Sequence, residues 1–452
     1  MTCFFRYYLL FWAFLLSAGI ALAQESESIR GLHKVKKKET IFGISRMYDL
    51  SIEELIEANP EMKEPGYELK KGTVLRIPFA GSQRQAAPVV AEAEKHAEGI
   101  TGRPIRLGVM LPLHDINGDG KRMVEYYRGV LMACDSLKKL GISVDVHAWN
   151  TPEDWDIRQT LLDKAASKCD LIIGPLYSKQ MDALSDFVER HDIQLVIPFS
   201  INAPQLTTNR HIFQVYQTPN EINDASVNRF VEQFRDFHTV IIDCNDSTSR
   251  KGQFTASVRR QLEQRGIDYS LTNLRSSEES FSKAFSRTKS NVVILNTSRS
   301  QELGVTFSKL NGLKVTAPEL NITMFGYTEW LMYTRAYLEN FYKYNTYIPS
   351  TFNYNPLSAA TRRIEQKYRW NFHADMQNRL PRLAITGFDQ AYFFLRGLSK
   401  YGKSFNGAAG VFGYEPVQTP LQFERYGNGG LRNRTLVFVH YAPSHRVETI
   451  NF

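Results

Sequence analysis

The residues best placed to do chemistry are small polar ones that follow short apolar runs. Gly174, Pro175 and Ser178 come after the run at 171–173, and Ser200 and Asn202 follow the run at 195–197. Neither run alternates with polar residues and each is bounded by Gly or Pro, the pattern of a strand buried on both faces of a parallel sheet. In an open parallel sheet, ligands collect outside the carboxyl ends of the strands. Gly and Pro also simply end strands. Two adjacent strands that end alike nevertheless mark one rim of a cleft suited to a small polar ligand.

Other spacings bear on metal and catalytic chemistry. Asp115, Asn117, Asp119 and Gly120 match the start of a calcium loop, in which oxygen side chains at alternate positions surround a hard cation. The twelfth position is Tyr126, however, and the acid falls one residue early at Glu125. A turn rich in Asn, Asp and Gly is the ordinary explanation, so no metal and no cofactor is assigned. The chain has neither HExxH nor GxSxG, and Ser136 and Ser280, each followed three residues later by Lys, lack the companion motifs of penicillin-interacting enzymes. Cys134 falls in a helical pattern and Cys169 opens a buried strand, contexts typical of structural thiols. The expectation is a non-enzymatic protein.

The 452 residues leave room for two or three domains, and 43% hydrophobic content suffices to build cores. Arg6, an apolar run over 7–20 and the sequence Ala21-Leu22-Ala23 have the pattern of a cleaved secretory signal at 1–23. That run is shorter than the ~20 residues a membrane span requires. Three cysteines would remain after cleavage, an odd number that argues for buried thiols rather than a disulfide framework. The net charge of +8 in an exported chain without a nucleic-acid motif favours an anionic wall or membrane surface over nucleic acid. The expected location is periplasmic, associated with the cell wall.

Residues 31–78 read as strand, helix, helix, strand: a basic HKVKKK, a helix from Thr40 to Tyr48, another from Ser51 to Ala58, and LKKGTVLRIP. Thr40 and Ser51 can each cap the following helix, and Ile41, Ile44, Ile52, Leu55 and Ile56 recur at helical spacing on one small core. On Val35, Lys38-Glu39-Thr40-Ile41, Ile44, Leu55, Asn59-Pro60, Leu69, Gly72, Leu75 and Ile77-Pro78, this unit resembles a LysM domain. That family binds N-acetylglucosamine-containing glycans such as peptidoglycan, in a shallow groove. The resemblance implies sugar contacts from Lys38, Glu39, Thr40, Ile41 and Phe42 on one side and Asn59, Pro60, Glu61 and Met62 on the other. The family usually has Gly-Asp where this chain has Lys38-Glu39. Asn59-Pro60 also reads as a helix stop, and the lysine run as a charged edge strand.

Residues 79–103 are Ala-rich, polar and poor in aromatics after Phe79, the composition of a flexible linker. From 104 to 452, strands alternate with helices in two successive series, which argues for two doubly wound lobes around a cleft. The segments IRLGVMLPL, CDLIIGPLYS, IQLVIPFS, AITGFDQAYFFLRGLSKYG and QFERYGNGGLRNRTLVFVHY, in that order, resemble type I periplasmic binding proteins, nearest the branched-chain amino acid receptors of ABC transport. The resemblance implies lobe 1 at about 104–218 and 346–401, and lobe 2 at about 219–345 and 402–452. The order of LysM and receptor-like units is similar to that of exported proteins of Bacteroidetes.

In such receptors the first lobe offers Ser, Thr and backbone groups to a ligand's charged ends, and the second a Tyr and an acid. Carried over by position, these are Gly174, Ser178, Ser200 and Asn202, then Tyr327 and Glu329. The stacking Tyr of the family is replaced by Arg250-Lys251-Gly252, and the first loop lacks the usual Ser-Gly. The expected partners are peptidoglycan and a small amino-acid-like or wall-derived ligand. The alternative is a wall-tethered docking regulator of peptidoglycan synthesis or remodelling enzymes, for which the aromatic run Tyr333, Tyr337, Phe341, Tyr342, Tyr344 and Tyr347 could be a partner surface. Aromatics at helical spacing are more often core, and the same run reads as a helix packed within the second lobe and a crossover strand.

Overall fold

The computed structural model describes residues 29–37, 39–48, 55–56, 58–63, 67, 69–78, 99–199, 201–408 and 415–452. The leader reading, Lys38, Ser200, most of the second helix at 51–58 and most of the linker lie outside these residues.

In the first unit, β1 (Ile29–Lys34) and β2 (Val74–Pro78) pair antiparallel, with α1 (Ile41–Met47) between them in sequence. Thr40 starts the helix as expected, its hydroxyl accepting a hydrogen bond from the Gly43 N–H at 3.0 Å. Val35, Ile44, Leu55, Met62, Leu75 and Ile77 form the buried core.

The second unit begins with β3 (Ile105–Leu111), α2 (Gly118–Lys138), β4 (Val144–Asn150), α3 (Ile157–Leu161), β5 (Leu171–Ile173), α4 (Met181–His191), β6 (Gln194–Ile197) and β7 (Ile212–Gln214). It continues with α5 (Pro219–Gln233), β8 (His238–Asp243), α6 (Gly252–Gln264), β9 (Tyr269–Asn273), α7 (Glu278–Lys283), β10 (Asn291–Leu295), α8 (Ser300–Thr316), β11 (Ile322–Phe325), α9 (Thr334–Lys343) and β12 (Thr346–Ser350). The chain closes with α10 (Ala359–Phe372), α11 (Leu383–Tyr401), β13 (Phe423–Arg425), β14 (Leu431–Asn433), β15 (Val437–Ala442) and β16 (Arg446–Asn451). One sheet has the order β13-β14-β7-β6-β5-β3-β4 and the other β16-β15-β12-β11-β10-β8-β9. The runs at 171–173 and 195–197 are central strands of the first sheet, buried along their whole length, which is why neither alternates with polar residues.

The lobe boundaries differ from expectation. Thr346–Ser350 does not return to the first lobe. It pairs parallel with β11 and antiparallel with β15, so the backbone groups on both its edges are satisfied within the second sheet. Residues 423–433 do not belong to the second lobe either: Leu431 pairs parallel with Phe213 in the first sheet, leaving β15 and β16 alone to finish the second. Residues 99–103, expected in the linker, are anchored to the first lobe. The Ile100 N–H donates to the Leu398 carbonyl at 3.1 Å, and Arg103 forms a two-pronged ion pair with Asp170 at 2.7 Å per contact.

The helix returning from the second lobe is locked against the first. A Cβ at Gly129 of α2 would fall on the Ala384 carbonyl oxygen of α11, and one at Gly387 would fall on the Tyr126 carbonyl oxygen. Absence of side chains at both positions lets the two backbones touch, and the Tyr126 hydroxyl then donates to Gln390 Oε1 at 2.6 Å across the contact. This packing fixes α2, whose amino end carries the first loop of the cleft rim.

Candidate ligand site between the lobes

On the first lobe, Gly174 follows β5 with φ of +142°, and its Cα faces the Met110 carbonyl so closely that a Cβ would collide with it. Only glycine fits there. Ser178 Oγ accepts a hydrogen bond from the Asn202 N–H at 2.8 Å, joining the loops that follow β5 and β6. Gly174, Ser178 and Asn202 are thus brought to one rim, with Ser178 and Asn202 both exposed.

The acidic loop at 115–120 serves as a helix start. Asn117 Oδ1 accepts from the Gly120 N–H at 2.9 Å, Asp119 is engaged by Arg122 and by the Tyr177 hydroxyl, and Asp115 lies 3.6 Å from Lys121 Nζ. Its oxygens serve capping and ion pairing. Among the described residues, no group of three or more His, Cys, Asp or Glu side chains is arranged to hold a metal.

The second lobe contributes a cavity of about 760 Å³ at the carboxyl ends of β8, β10 and β11, lined by Asp246, Lys251, Thr297, Arg299, Tyr327 and Glu329 among others. Lys251 Nζ stands 2.8 Å from Glu329 Oε1 and 4.8 Å from the Tyr327 ring centre. The ammonium is therefore paired with a carboxylate and set over an aromatic face. Tyr327 itself is buried, and its hydroxyl donates to the Leu295 carbonyl, so it offers a ring rather than a free hydroxyl. Glu329 Oε2 is buried and has no hydrogen-bond partner among the described residues.

Asp246 accepts from the Thr248 hydroxyl at 2.6 Å, the Thr297 hydroxyl at 2.8 Å and the Thr248 N–H at 3.0 Å. These donors, the Thr248 and Thr297 hydroxyls foremost and Arg299 more weakly, hold its carboxyl below the usual carboxylate range against the opposing effect of burial. Sequence reasoning missed Asp246, Thr297 and Arg299. The signal available was their position, since loops after β8 and β10 must face the same cleft as the loop after β11. Lys251, read as marking a lost Tyr, instead supplies the cation over the Tyr327 ring.

The glycan-site candidates divide by burial. Glu39 Oε2 accepts from the Lys36 N–H at 2.7 Å and lies 2.9 Å from His33 Nε2, while His33 Nδ1 meets the Tyr48 hydroxyl at 2.8 Å. The Lys36 N–H, then His33, hold the Glu39 carboxyl below its ordinary range. Thr40, Pro60 and Glu61 are exposed, Ile41 is half-buried, and Phe42 lies within α1. Asn59 and Met62 are buried instead of facing a sugar. Asn59 Nδ2 donates to the Leu55 and Arg76 carbonyls at 2.8 Å each, and Oδ1 accepts from the Arg76 N–H at 2.7 Å, so its amide ties the helical segment to β2.

The aromatic run also turns inward. Phe341, Tyr342 and Tyr344 are buried, the Tyr337 hydroxyl donates to the Ser300 carbonyl at 2.9 Å, and Tyr347 stacks on His440 with ring centres 4.1 Å apart. These contacts make the run part of the second-lobe core.

Two parallel-rich sheets with three crossings between them, and a cleft at their carboxyl ends, define the type I periplasmic-binding-protein fold. The LysM domain family matches residues 33–78, so the first unit is a LysM domain. The crystal structure of a putative branched-chain amino acid ABC transporter from Rhodospirillum rubrum is similar to the large unit, with 13% identity over 77% of this chain and 100% of that one, at a TM-score of 0.50. An ABC transporter substrate-binding protein from Desulfitobacterium hafniense in complex with Leu is 13% identical over 77% of this chain and 100% of that one, at 0.41. Full-length LpoA from Haemophilus influenzae is 11% identical over 81% of this chain and 62% of that one, at 0.48. No curated protein matches the chain in sequence. Among the described residues, no helix is long and apolar enough to cross a membrane.

Proposed function

We propose that this is an exported, non-catalytic binding protein of the cell wall, which docks on peptidoglycan through its LysM domain and closes its two large lobes over a small zwitterionic ligand, amino-acid-like or wall-derived. The observation that carries this reading is the second-lobe cavity, where Asp246 and the bare oxygen of Glu329 suit an ammonium group, and Lys251 and Arg299 suit a carboxylate. Gly174, Ser178 and Asn202 complete the site from the facing rim when the lobes close.

A non-catalytic role agrees with the state of the candidate nucleophiles. Burial pushes the thiols of Cys134, Cys169 and Cys244 up to about 12, which leaves almost no thiolate at neutral pH. The Ser136 hydroxyl donates to the Met132 carbonyl at 2.9 Å, and Lys367, whose Nζ donates to Ser136 Oγ at 3.2 Å, forms an ion pair with Asp135 at 2.6 Å. The docking alternative loses its proposed surface, because the aromatic run is packed inside the second lobe.

A thermal-shift screen of the full chain against amino acids and muropeptides tests the proposal, since a ligand that binds only the folded state raises the melting temperature. A shift from a zwitterion, abolished when either charged end of that ligand is blocked, supports it. No shift from any zwitterionic compound at millimolar concentration refutes it.

A further inference from the structure

A second pocket lies at the opposite end of the first sheet from the cleft. Gln194 opens β6, His211 immediately precedes β7 and Leu431 opens β14, so it sits at the amino ends of these parallel strands. Its volume is about 500 Å³. Phe213, Phe405 and Leu431, all buried, give it an apolar floor.

Two guanidinium groups stand in its wall. Arg210 Nε donates to the Asn428 carbonyl at 3.1 Å and Arg425 Nη1 to the Gly429 carbonyl at 2.8 Å, so one turn holds both. Among the described residues, no carboxylate lies within ion-pairing distance of either. The nearby acid Asp192 is already engaged by Lys403 and by His211 at 3.6 Å. Loss of hydration and, after it, the charge of Arg210 lower the Arg425 pKa from its usual value.

A separate observation points to a ligand. Gln194 lines the pocket at 6% exposure, its Nε2 donates to the Lys403 carbonyl at 3.3 Å, and its buried Oε1 has no hydrogen-bond partner among the described residues. An orphaned buried acceptor is costly unless a donor arrives.

We propose that this pocket binds the carboxylate end of a short peptide: the carboxylate is held by Arg210 and Arg425, an N–H of the peptide satisfies Gln194 Oε1, and the terminal side chain rests on Phe213 and Phe405. A bare inorganic anion would use the guanidinium pair but leave the apolar floor and the Gln194 acceptor unused. The site is independent of the cleft ligand proposed above.

The probe is N-acetyl-alanyl-alanine, titrated by calorimetry into the full chain in phosphate-free buffer, beside its C-terminal amide and inorganic phosphate. The peptide acid is expected to bind at least about tenfold more tightly than the amide, and Arg425→Gln to weaken it by a similar factor, as befits loss of a charge-assisted contact. Glu329→Gln, in the cleft, is expected to leave this binding intact. No binding of the acid at millimolar concentration, equal binding of acid and amide, tighter binding of phosphate than of the peptide, or loss of binding in Glu329→Gln would each overturn the proposal. Should Arg425→Gln fail to fold, the comparison of acid with amide on the unaltered chain decides alone.

Discussion

Lys251 sits just before α6 and Glu329 just after β11, yet their Nζ and Oε1 atoms lie 2.8 Å apart, bridging two loops at the second-lobe rim. Both side chains keep contact with water, at 29% and 39% exposure. A partly solvated pair of this kind contributes no more than about 1 kcal/mol to folding. Under the proposed function, the pair matters for what it presents to the cleft.

Glu329→Gln is therefore expected to fold with its stability changed by less than about 1 kcal/mol. The thermal shift given by a zwitterionic ligand should fall away in the same variant. Urea denaturation and the ligand-dependent melting shift, measured side by side, check both parts. A retained shift would remove Glu329 from the site.

Gly129→Ala and Gly387→Ala should each destabilise the large unit, because the new methyl group would meet a carbonyl oxygen of the facing helix with no flexible side chain to give way. Overpacking of this kind costs roughly 1–3 kcal/mol. A denaturation midpoint unchanged in both variants would mean that α2 and α11 slide apart freely.

The elements that frame the cleft were legible because buried parallel strands have no polar alternation and end abruptly. Leu171–Ile173 and Gln194–Ile197 show this, as does Gly174, whose φ of +142° explains its presence. What could not be read was the late crossing of the chain. Phe423–Arg425 and Leu431–Asn433 are only three residues each, and nothing in LRN announces a parallel partner as distant as β7. Thr346–Ser350 contains a proline, which reads as an edge, yet it lies between two paired strands. The site residues Asp246 and Arg299 escaped for a related reason: exposed-looking loop charges acquire meaning only when the sheet order places their loops beside Glu329.

Asn59→Ala separates a structural role from a binding one in the LysM domain. The amide makes three hydrogen bonds, two to the Arg76 backbone and one to Leu55, from a fully buried position. Removing it strands buried backbone groups at about 1–3 kcal/mol. The variant should lose amide-exchange protection around Arg76 together with retention on peptidoglycan. Glu61→Ala, at an exposed position, should keep the protection whether or not retention changes. Full protection in Asn59→Ala would refute the role of the amide as a tie.

The ion pair of Asp170 with Arg103 gives a pH dependence whose direction follows from the geometry. Burial alone would raise the Asp170 pKa, but the Arg103 guanidinium at 2.7 Å and the Arg106 N–H at 2.8 Å outweigh it and hold the carboxyl below its ordinary value. A carboxyl whose folded-state pKa is depressed adds stability that is fully present above the unfolded value of about 3.9 and is lost as pH falls through the folded value. Arg103→Ala removes the largest charge that favours the ionised form. The variant should be less stable at pH 7 by about 1 kcal/mol, the worth of a charge-assisted hydrogen bond discounted for the solvent exposure of Arg103. Below the folded-state pKa both proteins carry a neutral Asp170, so the difference between them should shrink steadily as the pH is lowered from 5 towards about 2. Urea denaturation of both chains across this range measures it. A gap that stays constant with pH would assign the effect of Arg103 to packing rather than to charge.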